Sequence, residues 1–330
     1  MAPDNNPFSM STMSNALQRI RVSGSIPPPG FAPRASSDVS DTRFKRLFNL
    51  MTSCEDVGQF KDLISTFDQS ELQRMASMLT SDSDYFMGVI RNKYGSRRVQ
   101  RLLGISDDVD SLFCDAILQR FFDIMTDKFA SYVATRAVVV FDRVKKHVMY
   151  KNVLYYALDI ARSQHGCVAL NEVVTDADDP LFRNRLLDVV ARNALFLSND
   201  PWGNFVVQHV LKLHDLRCKR NVAVILRGHC VDLSFKKYGS YIVEKLLEAE
   251  VSMVMVAVEL LKCDGDRLMR LARSEFGNFV VLTALRVTQE MNRMDLFSDL
   301  VQKLMPHRHL LLGSHGNNIA NLLETRRCSN

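Results

Sequence analysis

The 330-residue chain carries 42 Lys and Arg against 37 Asp and Glu, a formal net charge of +5 that fits a polyanionic partner without demanding one. An apolar fraction of 47% is ample for a packed core. Apolar runs such as Ala137–Phe141 and Met253–Val258 fall far short of the roughly 20 residues of a membrane span, which excludes a membrane protein of the helical kind.

Residues 1–40 are rich in Pro, Ser, Asn and Met, and six of the nine prolines lie in the first 33 residues. Such a segment buries too little apolar surface to offset its ordering entropy, so a disordered tail is expected. It has no basic start followed by an apolar block, so no secretory signal is expected. From Asp41 the pattern turns helical. Phe44, Leu47, Phe48 and Met51 recur at three and four residues, and Phe60, Leu63 and Ile64 then Leu72, Met75, Ala76 and Met78 continue the stripe. Residues 41–88 are expected to be degenerate first repeats or a cap, with no assignable base-reading set.

A recurrence follows. Lys93–Gln100, Gln164–Asn171, Asp200–Leu211, Lys237–Glu244, Glu275–Leu282 and Ser314–Asn321 each place an aromatic residue or His before a glycine. A polar residue, a side chain with a broad face, apolar residues and a further polar position follow in most copies. Lys128–Thr135 is a weaker copy with Ala130 for the glycine. The glycine or alanine falls at 95, 130, 166, 203, 239, 277 and 316, a period of 35 to 39 residues. A sustained period of that size is the mark of a stacked solenoid, in which each unit buries its apolar face against its neighbours. Stripes such as Leu112, Ala116, Ile117 and Phe121, or Leu186, Leu187, Val190 and Ala191, supply the remaining helices. After residue 33 the only prolines are Pro180, Pro201 and Pro306, each where a helix can begin.

The central copy carries the chemistry. Read as a helix following a turn, it puts Asn204, Phe205 and Gln208 on one open surface and the Val and Leu residues in the core. Two amides and a ring suit a nucleobase, offering hydrogen-bonding edges and a stacking plate. The aromatic or His before each glycine is expected to pack at the helix start.

With these motifs the chain resembles the Pumilio (PUF) family of RNA-binding repeat proteins over residues 88–330, and more loosely 41–330. The resemblance implies an all-α fold, a right-handed superhelical crescent of three-helix Pumilio-type repeats. The second helix of each repeat lines the concave face and meets one base. It places base-reading repeats at 89–305 and a closing cap at 306–330, where Asn317, Asn318 and Asn321 need not bind a base. It assigns base-edge roles to Ser96, Gln100, Ser131, Thr135, Cys167, Asn171, Asn204, Gln208, Ser240, Glu244 and Asn278. Arg97, Tyr132, Phe205, Tyr241 and Phe279 become the stacking residues. Asn204 and Gln208 then read uracil. Ser240 and Glu244 read guanine, whose N–H and amine donate together to a carboxylate, and Ser96 and Gln100 read adenine. Leu282 where Gln is expected, Asn171 for Gln and Val168 as a poor plate weaken their repeats.

The family binds RNA antiparallel to the protein, which implies a site of the form 5′-U-G-U-n-n-A. It further implies 3′-untranslated regions of mRNA as targets, lowered translation or stability through recruited decay or repressor proteins, a monomer, and a cytoplasmic location with nucleus or nucleolus as alternatives. Two rival readings stand beside it: a divergent relative binding structured or ribosomal RNA through its backbone, and a HEAT- or armadillo-like protein scaffold. No cofactor or metal is expected. The eight histidines have no ligand spacing, and no nucleophile elbow or phosphate loop is present, so no enzyme is expected. The seven cysteines, at 54, 114, 167, 218, 230, 263 and 328, are odd in number and lack a CxxC pair, as in a reduced intracellular protein.

Overall fold

The computed structural model describes residues 37–54 and 57–327. The chain divides into two compact units, Met1–Phe44 and Lys45–Asn330. The tail expected over residues 1–40 lies outside the described residues except at its end. There helix α1 (Ser37–Thr52) begins four residues ahead of the expected boundary. Its Ser-Asp start is ordinary first-turn composition.

The second unit is all helix among the described residues, and its elements fall into triplets of short, recurrent and outer helix. After α2 (Val57–Ser65) and α3 (Gln69–Thr80) come α4 (Ser83–Arg91), α5 (Lys93–Leu102) and α6 (Asp107–Gln119). The next triplet is α7 (Phe121–Thr126), α8 (Ser131–Val140) and α9 (Arg143–Ala161). Helix α9 runs 19 residues and absorbs the short helix of the following triplet, leaving α10 (Gly166–Asp176) and α11 (Pro180–Arg192). Then follow α12 (Ala194–Ser198), α13 (Gly203–Lys212) and α14 (Leu216–Leu226). The triplet α15 (Cys230–Ser234), α16 (Lys237–Leu247) and α17 (Glu250–Lys262) is next. The array closes with α18 (Gly265–Arg273), α19 (Gly277–Glu290) and α20 (Met294–Leu304), a 3-10 turn (Met305–Leu310) and α21 (Asn317–Arg327).

Local chemistry sets these boundaries. Asp82, Asn92, Asp142 and Asp179 each accept hydrogen bonds from the first free N–H groups of the helix they precede. Pro180 occupies the first turn of α11, where its missing N–H costs nothing. Pro306 opens the 3-10 turn in the same way.

Two continuous rows of helices result. The recurrent helices α5, α8, α10, α13, α16, α19 and α21 pack in that order, each against the next. The outer helices α3, α6, α9, α11, α14, α17 and α20 form the second row. The core lies between the rows. Val206, Val207 and Val210 of α13 and Ile242, Val243 and Leu246 of α16 are fully buried there. This is the expected periodic stacking: one apolar flank per recurrent helix faces the outer row, and the opposite flank is left to form a site.

Candidate nucleic-acid interface

Two features aim each recurrent helix. The first is the glycine. A Cβ on Gly239 would stand 2.6 Å from the Leu233 carbonyl oxygen, six residues earlier on the short helix. Gly95, Gly166 and Gly203 likewise meet the carbonyl oxygen of the residue six before them, and Gly277 meets the Leu271 side chain, so the recurrent helix sits closer to the helix before it than a side chain permits. The second feature was not read from the sequence. The residue three before each glycine caps the helix. Asn92, Asp127, Asp200 and Ser274 accept from the backbone N–H of Gly95, Ala130, Gly203 and Gly277 at 3.1, 2.9, 2.8 and 3.0 Å. Ser163 does so for Gly166 at 2.9 Å. An Asn, Asp or Ser at a fixed offset ahead of a helix is a legible signal. Lys236, ahead of Gly239, and Gly313, ahead of Gly316, break it: α16 has no side-chain cap, and the Gly316 N–H donates instead to the Ser314 hydroxyl at 3.1 Å.

So aimed, the helices present a similar gradient of depth in the copies from Gly95 to Gly277. Second after the glycine, the plates stand out: Tyr132, Phe205, Tyr241 and Phe279 are about half exposed, 46 to 52%. Arg97 and Val168 occupy the same exposed position. The fifth residues, Gln100, Asn171, Gln208, Glu244 and Leu282, are half-buried, while Thr135 is buried.

The first residues differ from expectation. Ser96, Ser131, Cys167, Asn204, Ser240 and Asn278 are all buried, and Asn204 keeps only 1% of its surface. The open surface expected for Asn204, Phe205 and Gln208 therefore holds for the ring and in part for Gln208, not for Asn204. The reason is local. The Asn204 amide donates to the carbonyls of Asp200 and Pro201, both at 2.9 Å, and so closes down on the helix start. Asn278 does the same with Ser274 and Glu275.

These buried groups orient the fifth residues. Asn204 Oδ1 accepts from Gln208 Nε2 at 2.9 Å, and Ser96 Oγ accepts from Gln100 Nε2 at 3.0 Å. Each glutamine is held upright with its oxygen and second N–H outward. Ser96 in turn donates to the Phe129 carbonyl of the next repeat at 2.6 Å, tying two repeats together at the reading edge. Ser240 donates to the Lys237 carbonyl. Cys167 donates to the Gln164 carbonyl, and burial raises its thiol pKa, so it stays a neutral group. The Asn171 side-chain oxygen is buried without a hydrogen-bond partner, as a side chain one methylene short of glutamine would be.

Glu244 carries the distinctive charge. Burial raises its carboxyl above the ordinary value, and Glu248 adds to this, while Lys245, the Thr283 hydroxyl and Arg286 pull the other way. Thr283 belongs to the next recurrent helix. In the last copy Asn317 and Asn318 are exposed, unlike the first residue of any other copy, and Asn317 accepts from the Gly313 N–H. Among the described residues no later helix packs over the edge of that copy's helix.

Of the residues before the glycines, Tyr94, His165, Trp202, Tyr238 and Phe276 are half-buried at the helix starts, as expected of a packing role, whereas His315 of the last copy is exposed and does not fit it. Arg98 was also missed. It stands where the other copies have apolar residues, is 3% exposed, and donates to the Leu50 and Ser53 carbonyls at the end of α1. A charge at an apolar register position was the available signal. Cys54, Cys114, Cys167, Cys218, Cys230 and Cys263 form no disulfide, and burial pushes the Cys114 and Cys218 thiols up to about 12.

A helical array whose recurrent helices repeat one exposed and one half-buried position along a shared flank defines a class of protein, the RNA-binding repeat solenoid. The Pumilio-family RNA binding repeat profile matches residues 120–134, 193–213 and 229–250, which cover the Ala130, Gly203 and Gly239 copies. Pumilio homolog 18 of Arabidopsis thaliana is 66% identical over 99% of this chain and 99% of its own. The chain belongs to the Pumilio family, a family of RNA-binding repeats and not of enzymes. Among solved structures it is similar to the Puf4 RNA binding domain bound to HO endonuclease RNA 3′ UTR recognition sequence. That match has a TM-score of 0.75 and 21% identity, over 86% of this chain and 90% of that one. It is also similar to the RNA-binding domain of yeast Puf5p bound to SMX2 RNA. There the TM-score is 0.68 and the identity 16%, over 89% and 91%. At these identities the structures show the shared fold, an all-α solenoid of Pumilio-type repeats.

Proposed function

We propose that the chain reads single-stranded RNA base by base in the order 5′-U-G-U-n-n-A, with its C-terminal repeats at the 5′ end. One observation carries this reading: an exposed plate recurs in register above a half-buried polar residue in the Gly95, Gly166, Gly203 and Gly239 copies. Stacking supplies affinity without sequence preference, and the oriented edge groups supply the preference. Phe279 and Asn278 take the first U without a polar fifth residue. Glu244, beneath Tyr241, takes the G. Gln208, oriented by Asn204, takes the second U, and Gln100, oriented by Ser96, takes the A.

The targets proposed are 3′-untranslated elements of mRNA, bound by a monomer in the cytoplasm. The chain has no chemistry of its own to cut or modify RNA, so lowered translation or stability passes through recruited proteins. The test is binding of the full chain to an RNA carrying U-G-U-A-A-A against the same RNA with U-A-U-A-A-A. A preference of about tenfold for G at the second base, lost in Glu244→Gln, is expected. Equal binding with steep salt dependence would replace base reading by backbone attraction. Binding to neither would return the protein-scaffold reading.

A further inference from the structure

The repeat at Ala130 pairs Ser131 and Thr135 with Tyr132, a plate over two hydroxyls that name no base by themselves. The structure adds a group from the next repeat. Glu172, on α10, neighbours Thr135 on α8, whose hydroxyl offsets part of the burial that raises the Glu172 carboxyl and itself donates to the Tyr132 carbonyl at 3.4 Å. The arrangement mirrors the one at the proposed guanine reader, where Glu244 on α16 neighbours Thr283 on α19. In one junction the acid stands on the earlier helix and the threonine on the later. In the other the two have changed places.

The exchange does not remove the acid from the interface. Lys128, Phe129, Ser131, Tyr132, His165, Val168, Ala169 and Glu172 line a single cleft, so the carboxylate faces the same space as the Tyr132 ring. The cleft lies between two successive plates, Tyr132 and Val168, both about half exposed, which is the space a stacked base would fill. Glu172 is half-buried, and the groups acting on its charge are Thr135 and Asp176, neither of them a cation. A carboxylate in this setting lacks strong donors. Lys128, exposed at the rim, is the cation of the cleft, and His165 lies on its other wall.

Resting on the base-by-base reading above, we infer that this cleft selects guanine at the fifth nucleotide, with Glu172 as its specificity-determining residue. Guanine is the base that sets a carbonyl acceptor beside two adjacent N–H donors on one edge. A carboxylate accepts from both donors, and an ammonium at the rim meets the carbonyl. Adenine offers one amine beside a ring acceptor, and uracil offers one N–H between two acceptors. Either base leaves the carboxylate short of a partner. The fifth position is thus read by an acid contributed from the neighbouring repeat, and sequence inspection of the Ala130 repeat alone does not reveal it.

The test is competition binding of the full chain to U-G-U-A-G-A and U-G-U-A-A-A RNAs, in the native protein and in Glu172→Gln. The G-to-A change at the second base serves as an internal standard. About tenfold tighter binding of the RNA with G at the fifth base is expected. In Glu172→Gln that preference falls below about twofold, and discrimination at the second base persists. The inference is overturned if the native chain shows no fifth-base preference, or if Glu172→Gln keeps it, while the second base is still discriminated. Loss of discrimination at the second base in the native chain overturns the base-reading frame itself, and this inference with it. Should Glu172→Gln fail to fold, Lys128→Met at the exposed rim decides by the same two outcomes.

Discussion

The repeats at Gly203 and Gly239 and those at Ala130 and Gly166 share one frame. Their recurrent helices lie in a single row, their first residues are buried, and their second residues stand half exposed. They differ in how the second and fifth residues are paired. The later pair sets Phe205 over Gln208 and Tyr241 over Glu244. The earlier pair sets Tyr132 over the buried Thr135, and Val168 over Asn171, whose amide oxygen is buried without a partner. Packing register and recognition register are therefore separable. The valines, leucines and glycines that stack the helices persist where the residues facing a ligand have changed.

That comparison can be broken or sharpened in four ways, from the largest expected effect to the smallest. Glu244→Gln should abolish discrimination between G and A at the second base, a loss of about 1–3 kcal/mol measured by competition binding. If the loss is no greater than for Asn171→Ala, the two pairs of repeats are equivalent and the contrast fails. Phe205→Ala should weaken binding of a U-G-U RNA by about 1–3 kcal/mol, whereas Val168→Ala should cost only a few tenths. Equal losses in titration calorimetry would mean that the plates do not stack on bases.

Val168→Tyr should sharpen the contrast by erasing it. With a ring restored over the Gly166 repeat, affinity should rise by about 1 kcal/mol with little change in melting temperature, since position 168 is half exposed. Asp200→Ala should lower stability by about 1 kcal/mol through loss of the α13 cap, while Lys236→Ala, at the capless position, should be near neutral.

The acids of the site predict opposite dependences on pH. Burial alone would raise the Asp200 carboxyl. Hydrogen bonds from the Gly203 N–H, Arg162 and the Trp202 N–H outweigh it and hold the group below its ordinary value. Asp200 therefore stabilises the fold above the unfolded pKa of about 3.9, and the contribution is lost as pH falls through the lower folded value. Urea titrations of the native chain and Asp200→Asn should converge only in that acid window. Glu244 is raised instead, chiefly by burial, so its ionised form costs the free fold a little at neutral pH and the cost disappears as pH falls. Guanine binding needs the ionised form, and it should weaken at a higher pH than the ordinary glutamate value of about 4.3 would give. A flat pH profile for the G-containing RNA would remove Glu244 from the reading edge.

The recurrence was legible because solenoid repeats make similar contacts at each step, so similar residues return at one period. It located the seven recurrent helices, the degraded copy at Ala130 and the row of plates. Helix α1 starts at Ser37, ahead of the first apolar residue of the periodic stripe, Phe44, so periodicity alone could not mark its start. The depth of Asn204 was misjudged for a different reason. A helical wheel puts Asn204 and Gln208 on one face. It does not show that the asparagine amide closes onto the Asp200 and Pro201 carbonyls and leaves the glutamine to face outward.

Period, composition and motif determined by themselves the fold class, the family and the identity of the plates, because each depends on residues near in sequence or repeated at one spacing. Contacts between repeats were decided by tertiary structure alone. Arg98 meets Leu50 and Ser53, Ser96 meets Phe129, and Glu172 meets Thr135 only once the helices stack. The physical reason is that a hydrogen bond between helices depends on their separation and rotation. Those are set by the summed packing of the apolar flanks, and no single stretch of the chain contains them.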